Sequence, residues 1–85
     1  MDPLQLAALA DLKTNFPKLS FRYESEPDWL IADLPQGAII LCDPGERATA
    51  TLKWEAVFED IDVLAETPTR AVRLLARRAN LEDVE

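Results

Sequence analysis

Apolar and polar positions along the chain change period several times, and each period predicts a different element. The first element is a helix, because Asp2 is suited to cap it, Pro3 suits its first turn, and Gln5 completes a capping-box pattern. Its apolar residues lie on more than one side, which allows a second contact surface, although the favoured interpretation is a short helix rich in alanine and leucine that lies on a sheet. Phe16 before Pro17 ends the helix, since the residue preceding a proline is disfavoured in helical geometry.

A period of two follows and predicts strands. Apolar and polar residues alternate over residues 19–24, as in a strand with one buried face. A strand resumes over residues 29–32, after a turn that contains a proline. The unbroken apolar run over residues 38–42 is typical of a central strand covered on both faces.

Residues 48–58 fit two periods at once. As a strand they alternate with Val57 as the one exception, whereas a helix that begins near Trp54 would carry an apolar stripe as far as Ala65. The content of threonine, tryptophan, valine and phenylalanine favours the strand. We therefore predict one long strand, followed over residues 59–66 by an irregular or short helical segment.

A final helix begins at Thr67, which is suited to cap it, and at Pro68; its apolar stripe stops near Asn80. The chain contains no internal repeat and no low-complexity tract. Together the patterns predict one compact domain over residues 1–85 with an α+β fold. This fold has an N-terminal helix, a four-stranded antiparallel meander and a C-terminal helix, with the helices covering one face of the sheet.

The composition excludes several classes of function. The 85 residues include 16 acidic and 9 basic side chains, for a net charge of −7, and no histidine. The lack of histidine excludes Ser-His and Cys-His catalysis. The net charge opposes direct binding of nucleic acid and favours basic partners. The two glycines form no phosphate-binding loop, and we expect a protein that is not an enzyme and has no cofactor.

The single cysteine and the hydropathy pattern suggest a location. Cys42 ends an apolar run, which predicts a buried thiol rather than a nucleophile, and it has no partner for an internal disulfide. The longest uncharged stretch, residues 34–42, is shorter than the roughly 20 residues that span a bilayer. No basic residue precedes Lys13, so a secretory signal is not expected. We expect a cytoplasmic protein without membrane contact, in the host cytoplasm if the chain is phage-encoded.

The densest acidic segment, residues 54–66, contains no basic residue. We expect Glu55, Glu59, Asp60 and Asp62 to form one exposed patch. The segment lacks the spacing and the glycine of a calcium-binding loop, so no metal site is predicted. Carboxylates spaced along a surface resemble phosphates to a basic groove. The leading hypothesis is therefore an inhibitor or decoy that docks on a basic nucleic-acid-handling protein, in the manner of phage anti-defence proteins.

The terminal helix provides a second candidate interface. Arg70, Arg73 and Arg77 share one helical face, with Leu74 and Leu81 beside them and the apolar stripe opposite. Arginine among exposed leucines is typical of an interface centre. Alternatively, the arginines face the chain's own acidic segment and the leucines are singly exposed. The rival hypothesis for function is a small acidic chaperone or assembly adaptor that acts as a homodimer.

Overall fold

The computed structural model describes residues 2–84, apart from the side chain of Asp83. In chain order its elements are α1 (Pro3–Asn15), β1 (Ser20–Glu24), β2 (Trp29–Leu34), β3 (Gly37–Cys42), a short 3₁₀ turn (Gly45–Arg47), β4 (Trp54–Phe58), β5 (Ile61–Ala65), α2 (Pro68–Ala79) and a second 3₁₀ turn (Glu82–Val84).

The five strands form one antiparallel sheet in which their spatial order, β1-β2-β3-β4-β5, repeats their order in the chain. Helix α2 packs on β3, β4 and β5, and helix α1 packs on β1 and α2. The predicted α+β fold, a meander with both helices on one face, is confirmed, with five strands in place of four. In the part of the chain that the structure describes, no helix is long and apolar enough to cross a membrane.

The long strand predicted over residues 48–58 is wrong, because β4 begins only at Trp54. The preceding residues 48–53 form an irregular loop. In it, Thr49 Oγ1 accepts a hydrogen bond of 2.9 Å from the backbone N–H of Leu52. A threonine side chain that bonds to nearby backbone in this way competes with strand pairing, which explains why the apolar–polar alternation is not expressed as a strand here.

The irregular or helical segment predicted over residues 59–66 is also wrong, since most of it forms β5. Glu59, at a φ of 53°, and Asp60 form the turn that reverses the chain, and β5 then pairs with β4. The apolar residues of β5 return to a period of two and pack against the core: Ile61, Val63 and Ala65.

The residues that cap the helices are those that the sequence predicts. Asp2 accepts a hydrogen bond of 2.9 Å from the backbone N–H of Gln5, whose Oε1 accepts one of 3.1 Å from the backbone N–H of Asp2. Thr67 Oγ1 caps α2 by accepting a bond of 3.1 Å from the backbone N–H of Arg70. Asn80 ends α2 in a left-handed conformation at φ 55°.

The hydrophobic core lies between the sheet and the helices. The strands contribute their core-facing buried residues: Leu30, Ala32, Ile39, Leu41, Ala56, Phe58, Val63 and Ala65. The helices and the residues that follow them contribute Ala8, Leu12, Phe16, Ala71, Val72, Leu75, Leu81 and Val84. Helix α1 also has an outer apolar side, as predicted, with Leu4 78% and Leu6 54% exposed.

Candidate functional site

The sheet face opposite the helices is lined by a row of side chains that crosses all five strands. Cross-strand pairing places Arg22, Ile31, Ile40, Val57 and Asp62 side by side, from β1 to β5. The row therefore has three apolar β-branched residues at its centre and an opposite charge at each end. We call this side of the sheet the open face.

A second row on the open face contains Trp29 and Cys42, and Leu64 lies on β5, all half-buried. Ile31 is only 4% exposed, although it lies on the open face and does not belong to the core cluster. Arg47, which follows β3, reaches Asp62 on this side of the sheet. β3 is the central strand of the sheet, as predicted, but it is not fully covered on the open face, where Ile40 is half-buried.

One end of the open face carries what we call the β1–β2 ion cluster: Arg22, Glu24 and Asp33. Arg22 Nε donates to Asp33 Oδ2 at 2.8 Å, and the same guanidinium also pairs with Glu24. The three side chains are about half exposed. Two carboxylates thus share one arginine, which leaves this cluster with a net negative charge.

The other end carries the β4–β5 ion cluster: Arg47, Glu55 and Asp62. Arg47 extends from the 3₁₀ turn after β3 and bonds to Glu55 Oε2 at 2.6 Å and to Asp62 Oδ2 at 2.7 Å. The hydrogen bond from Arg47 holds the pKa of Asp62 below its ordinary value of 3.8. Here too, two carboxylates share one arginine, although the side chain of Glu55 is only 14% exposed.

Cys42 lies next to Glu55 on the open face and donates its S–H to Glu55 Oε1 at 3.7 Å. Burial, and to a smaller extent the negative charge of Glu55, together raise the pKa of the Cys42 thiol to about 11. A thiol with this pKa is protonated at neutral pH, and the thiolate is the form that acts as a nucleophile. The arrangement therefore makes Cys42 a packing and hydrogen-bonding residue of this surface.

The four predicted acidic residues do not form one patch without a base. Glu55 and Asp62 lie on the open face and are bridged by Arg47, whereas Glu59 and Asp60 are exposed at the β4–β5 turn. The sequence reasoning missed Arg47 because it lies outside the acidic segment. The signal that would have found it is the pairing of β3 with β4, which brings the loop after β3 beside Glu55.

The residues predicted for the alternative interface on α2 differ in exposure and contacts in the structure. Arg70 and Arg77 are exposed, and the guanidinium of Arg73 lies over the ring of Phe16, with Cζ 5.5 Å from the ring centroid. This contact is a cation–π interaction within the chain itself. Leu74 is half-buried against the core.

Leu81, predicted beside the arginines as an exposed residue, is only 8% exposed. After the left-handed Asn80 the chain turns back, and the backbone N–H of Leu81 donates to the carbonyl of Ala76 at 2.9 Å. This turn directs Leu81 into the core, so the arginine face lacks the exposed leucines of an interface centre.

A shallow depression of about 480 Å³ lies beside this turn and is lined by Arg73, Ala76, Arg77, Leu81 and Val84. A second, of about 310 Å³, is lined by Lys18, Leu19, Asp33, Leu34, Pro35 and Glu82. The second contains two carboxylates, of which Asp33 is already paired with Arg22 and Glu82 lies at the opposite end of the chain.

Within the described residues, no three side chains of the metal-ligating types His, Cys, Asp and Glu lie close enough to hold an ion. No protein-family model, curated protein or solved structure matches the chain. The surface chemistry of the molecule is therefore the basis for assigning its function, and the open face is the candidate site.

Proposed function

We propose that this chain is a non-enzymatic protein-binding domain that acts by occupying a basic surface of another protein. The observation that carries the proposal is the composition of the open face, an apolar centre between two ion clusters in each of which two carboxylates share one arginine. Such a face offers apolar area at its centre and attracts lysine and arginine to its rim.

Exposed acids beside the open face extend this rim. Glu59 and Asp60 lie at the β4–β5 turn, next to Asp62 in the chain, and both are exposed. A protein whose basic groove binds nucleic acid would meet carboxylates in place of phosphates here. The finer form of the proposal is therefore an inhibitor or decoy of a nucleic-acid-handling protein, of the phage anti-defence type. The chain's net charge of −7 speeds such an association.

The test is affinity capture from bacterial lysate with the intact chain and with a variant that carries Glu55→Gln, Glu59→Gln, Asp60→Asn and Asp62→Asn. We expect the intact chain to retain a basic nucleic-acid-binding protein that is released by salt and displaced by duplex DNA. We expect the variant to lose it.

The control for this capture experiment is a variant with Arg70→Gln, Arg73→Gln and Arg77→Gln, which should retain the same partner. Retention by the acid-neutralised variant contradicts the proposal. Loss only in the arginine variant places the interface on α2 instead.

The second candidate function is a homodimeric chaperone or assembly adaptor, and the exposure of Leu4 and Leu6 on α1 favours it. Two large apolar side chains at the start of one helix gain from burial against a second copy. Sedimentation equilibrium of the intact chain and of a Leu4→Ser, Leu6→Ser variant tests it. A dimer that becomes a monomer in the variant supports the adaptor, and a monomer in both excludes it.

A further inference from the structure

We infer that the open face binds an amphipathic helix of the partner, one that carries a basic residue at each end of its apolar stripe. This inference rests on the proposed function and specifies the element by which the partner is recognised. The inference follows from the hydrogen bonding, the apolar area and the charge of the open face.

Hydrogen bonding selects a helix rather than an extended peptide. The backbone N–H and C=O groups of β2, β3 and β4 pair within the sheet on both sides, so an extended peptide laid on this face finds no backbone partners. A helix satisfies its own backbone groups. The opposite face of the same sheet is already covered in this way, since the 12-residue α2 packs its apolar stripe on β3, β4 and β5.

The apolar centre of the open face fits the stripe of such a helix. Ile31, Ile40 and Val57 lie next to one another on three adjacent strands, and Trp29 lies on the same side. Trp29, Ile40 and Val57 are half-buried and Ile31 is 4% exposed, so together they present a partly exposed apolar surface. It is about three strands wide, or about 10 Å between its outer strands. Leucine-sized residues spaced three and four apart on a helix would contact it along their whole stripe.

The charges at the two ends select basic residues. In each ion cluster one guanidinium is shared by two carboxylates, so each cluster has an excess of one negative charge. Asp33 on β2 and Asp62 on β5 lie three strand spacings apart across the sheet and two residues apart along the strands, or about 16 Å in all. A helix rises about 1.5 Å per residue, so basic residues about nine to eleven positions apart reach both.

The same charges disfavour the other occupants. A second copy laid face to face would bring two clusters of net negative charge together at each end, within a pair of chains that each carry −7. Nucleic acid would be repelled for the same reason. A basic helix is the occupant whose charge complements both ends.

The test uses a synthetic peptide of about 18 alanine and leucine residues, with arginines at both ends of the leucine stripe, and a matched peptide in which glutamate replaces arginine. Backbone amide shifts of the intact, ¹⁵N-labelled chain report the binding position. We expect the arginine peptide to move the signals of Ile31, Ile40 and Val57 and the glutamate peptide to have at least about tenfold lower affinity. Binding of both peptides with equal affinity overturns the inference, as does a shift pattern confined to α1 or α2.

Two variants of the chain sharpen the test. Ile40→Glu places a charge at the centre of the open face and should weaken binding at least about tenfold, whereas Leu4→Glu on the outer side of α1 should leave it unchanged. If Ile40→Glu fails to fold by circular dichroism, the double variant Asp33→Asn, Asp62→Asn serves in its place. It should weaken binding several-fold and reduce its dependence on salt. Undiminished binding by that double variant overturns the inference.

Sedimentation of the chain alone distinguishes the remaining occupant. A dimer that Ile40→Glu dissociates would show that a second copy covers the open face, against the inference.

Failure of the proposed function can be distinguished from failure of this inference. If the peptide does not bind the open face but acid-dependent capture of a basic protein persists, the result supports the proposed function and contradicts the inference that the partner binds through a helix. If the peptide binds the open face but no captured protein is displaced by DNA, the helix site stands and the decoy function does not.

Discussion

Thr69, on the first turn of α2, donates a hydrogen bond of 2.6 Å from Oγ1 to Oδ2 of Asp11 on α1. Asn15 Nδ2 lies 3.5 Å from the same hydroxyl oxygen, so one buried threonine meets two polar side chains of α1. This contact joins the two helices near the point where α1 ends. It fixes α1 against α2 with a polar link in addition to apolar packing.

Replacing Thr69 with valine should loosen α1. The change keeps the side-chain volume but leaves the polar groups of Asp11 and Asn15 without this hydroxyl, which costs about 1–2 kcal/mol of unfolding free energy. Urea denaturation measures the loss, and hydrogen exchange should show faster exchange of the α1 amides. Thr14→Val is the matched control, since the Thr14 hydroxyl donates to the carbonyl of Ala10 in its own helix. Equal effects of the two changes would contradict the link between the helices.

Leucines at two positions should differ sharply in their contribution to stability. Leu81→Ala empties a site in the core and should lower the unfolding free energy by about 2–4 kcal/mol. Leu4→Ala removes an exposed side chain and should change it by less than about 0.5 kcal/mol. Thermal and urea unfolding of both variants measure the difference. A small effect of Leu81→Ala would contradict the burial of Leu81 and indicate that it is exposed beside the arginines of α2.

The β4–β5 ion cluster predicts a specific pH dependence. Arg47 lowers the pKa of Asp62 in the folded chain, so their interaction stabilises the fold fully above the ordinary value of 3.8 and is lost as the pH falls through the lower folded pKa. Arg47→Gln should therefore be less stable than the unmodified chain at about pH 7, and this difference should shrink at about pH 2. Urea unfolding at the two pH values measures it. Arg70→Gln, with the same change of charge, is the control and should show no such convergence.

Cys42 should react slowly while the chain is folded. Its pKa of about 11, against an ordinary 9.0, reduces the thiolate fraction near pH 8 about 100-fold, and burial slows access further. Alkylation by iodoacetamide, followed by mass spectrometry, should be much slower than in urea-unfolded protein. Glu55→Gln should recover only part of the rate, because burial is the larger cause of the shift. Equal rates in folded and unfolded protein would contradict the burial of this thiol.

The β4–β5 turn should be stabilised by glycine. Glu59 has a φ of 53°, a left-handed conformation that is strained for any residue with a Cβ atom. Glu59→Gly should therefore raise the unfolding free energy by up to about 1 kcal/mol. Glu59→Ala removes the same charge without relieving the strain and should give no gain. Asp60→Gly is a second control and should destabilise, because only Glu59 of the two turn residues has a positive φ. Chemical denaturation compares the three variants.

Helix boundaries could be predicted from the sequence because they depend on adjacent residues. Asp2 with Gln5, and Thr67 before Pro68, form caps whose partners lie within a few positions. The last strand could not be predicted in the same way. Apolar residues between Trp54 and Ala65 fit both periods, and the turn that separates β4 from β5 contains neither glycine nor proline.

The charge of the candidate site was only partly predictable for a related reason. The sequence identifies Glu55 and Asp62 as acidic surface residues but not the arginine that bridges them, because Arg47 comes from another segment. Its position depends on the register in which Cys42 faces Glu55, a fact of pairing rather than of composition. Likewise, the burial of Leu81 depends on a chain reversal after α2 that helical periodicity does not contain.

The identity between strand order and chain order has a consequence for how the protein folds during synthesis. Each strand pairs with the one made just before it, so the sheet can grow hairpin by hairpin, through three loops of two to four residues and one of eleven. Such local pairing favours fast folding. Helix α2, which covers β3, β4 and β5, follows all five strands in the chain. Until it emerges from the ribosome, the sheet is apolar on its core side as well as at the centre of its open face. That interval is when a nascent chain is most prone to aggregate and most dependent on chaperones.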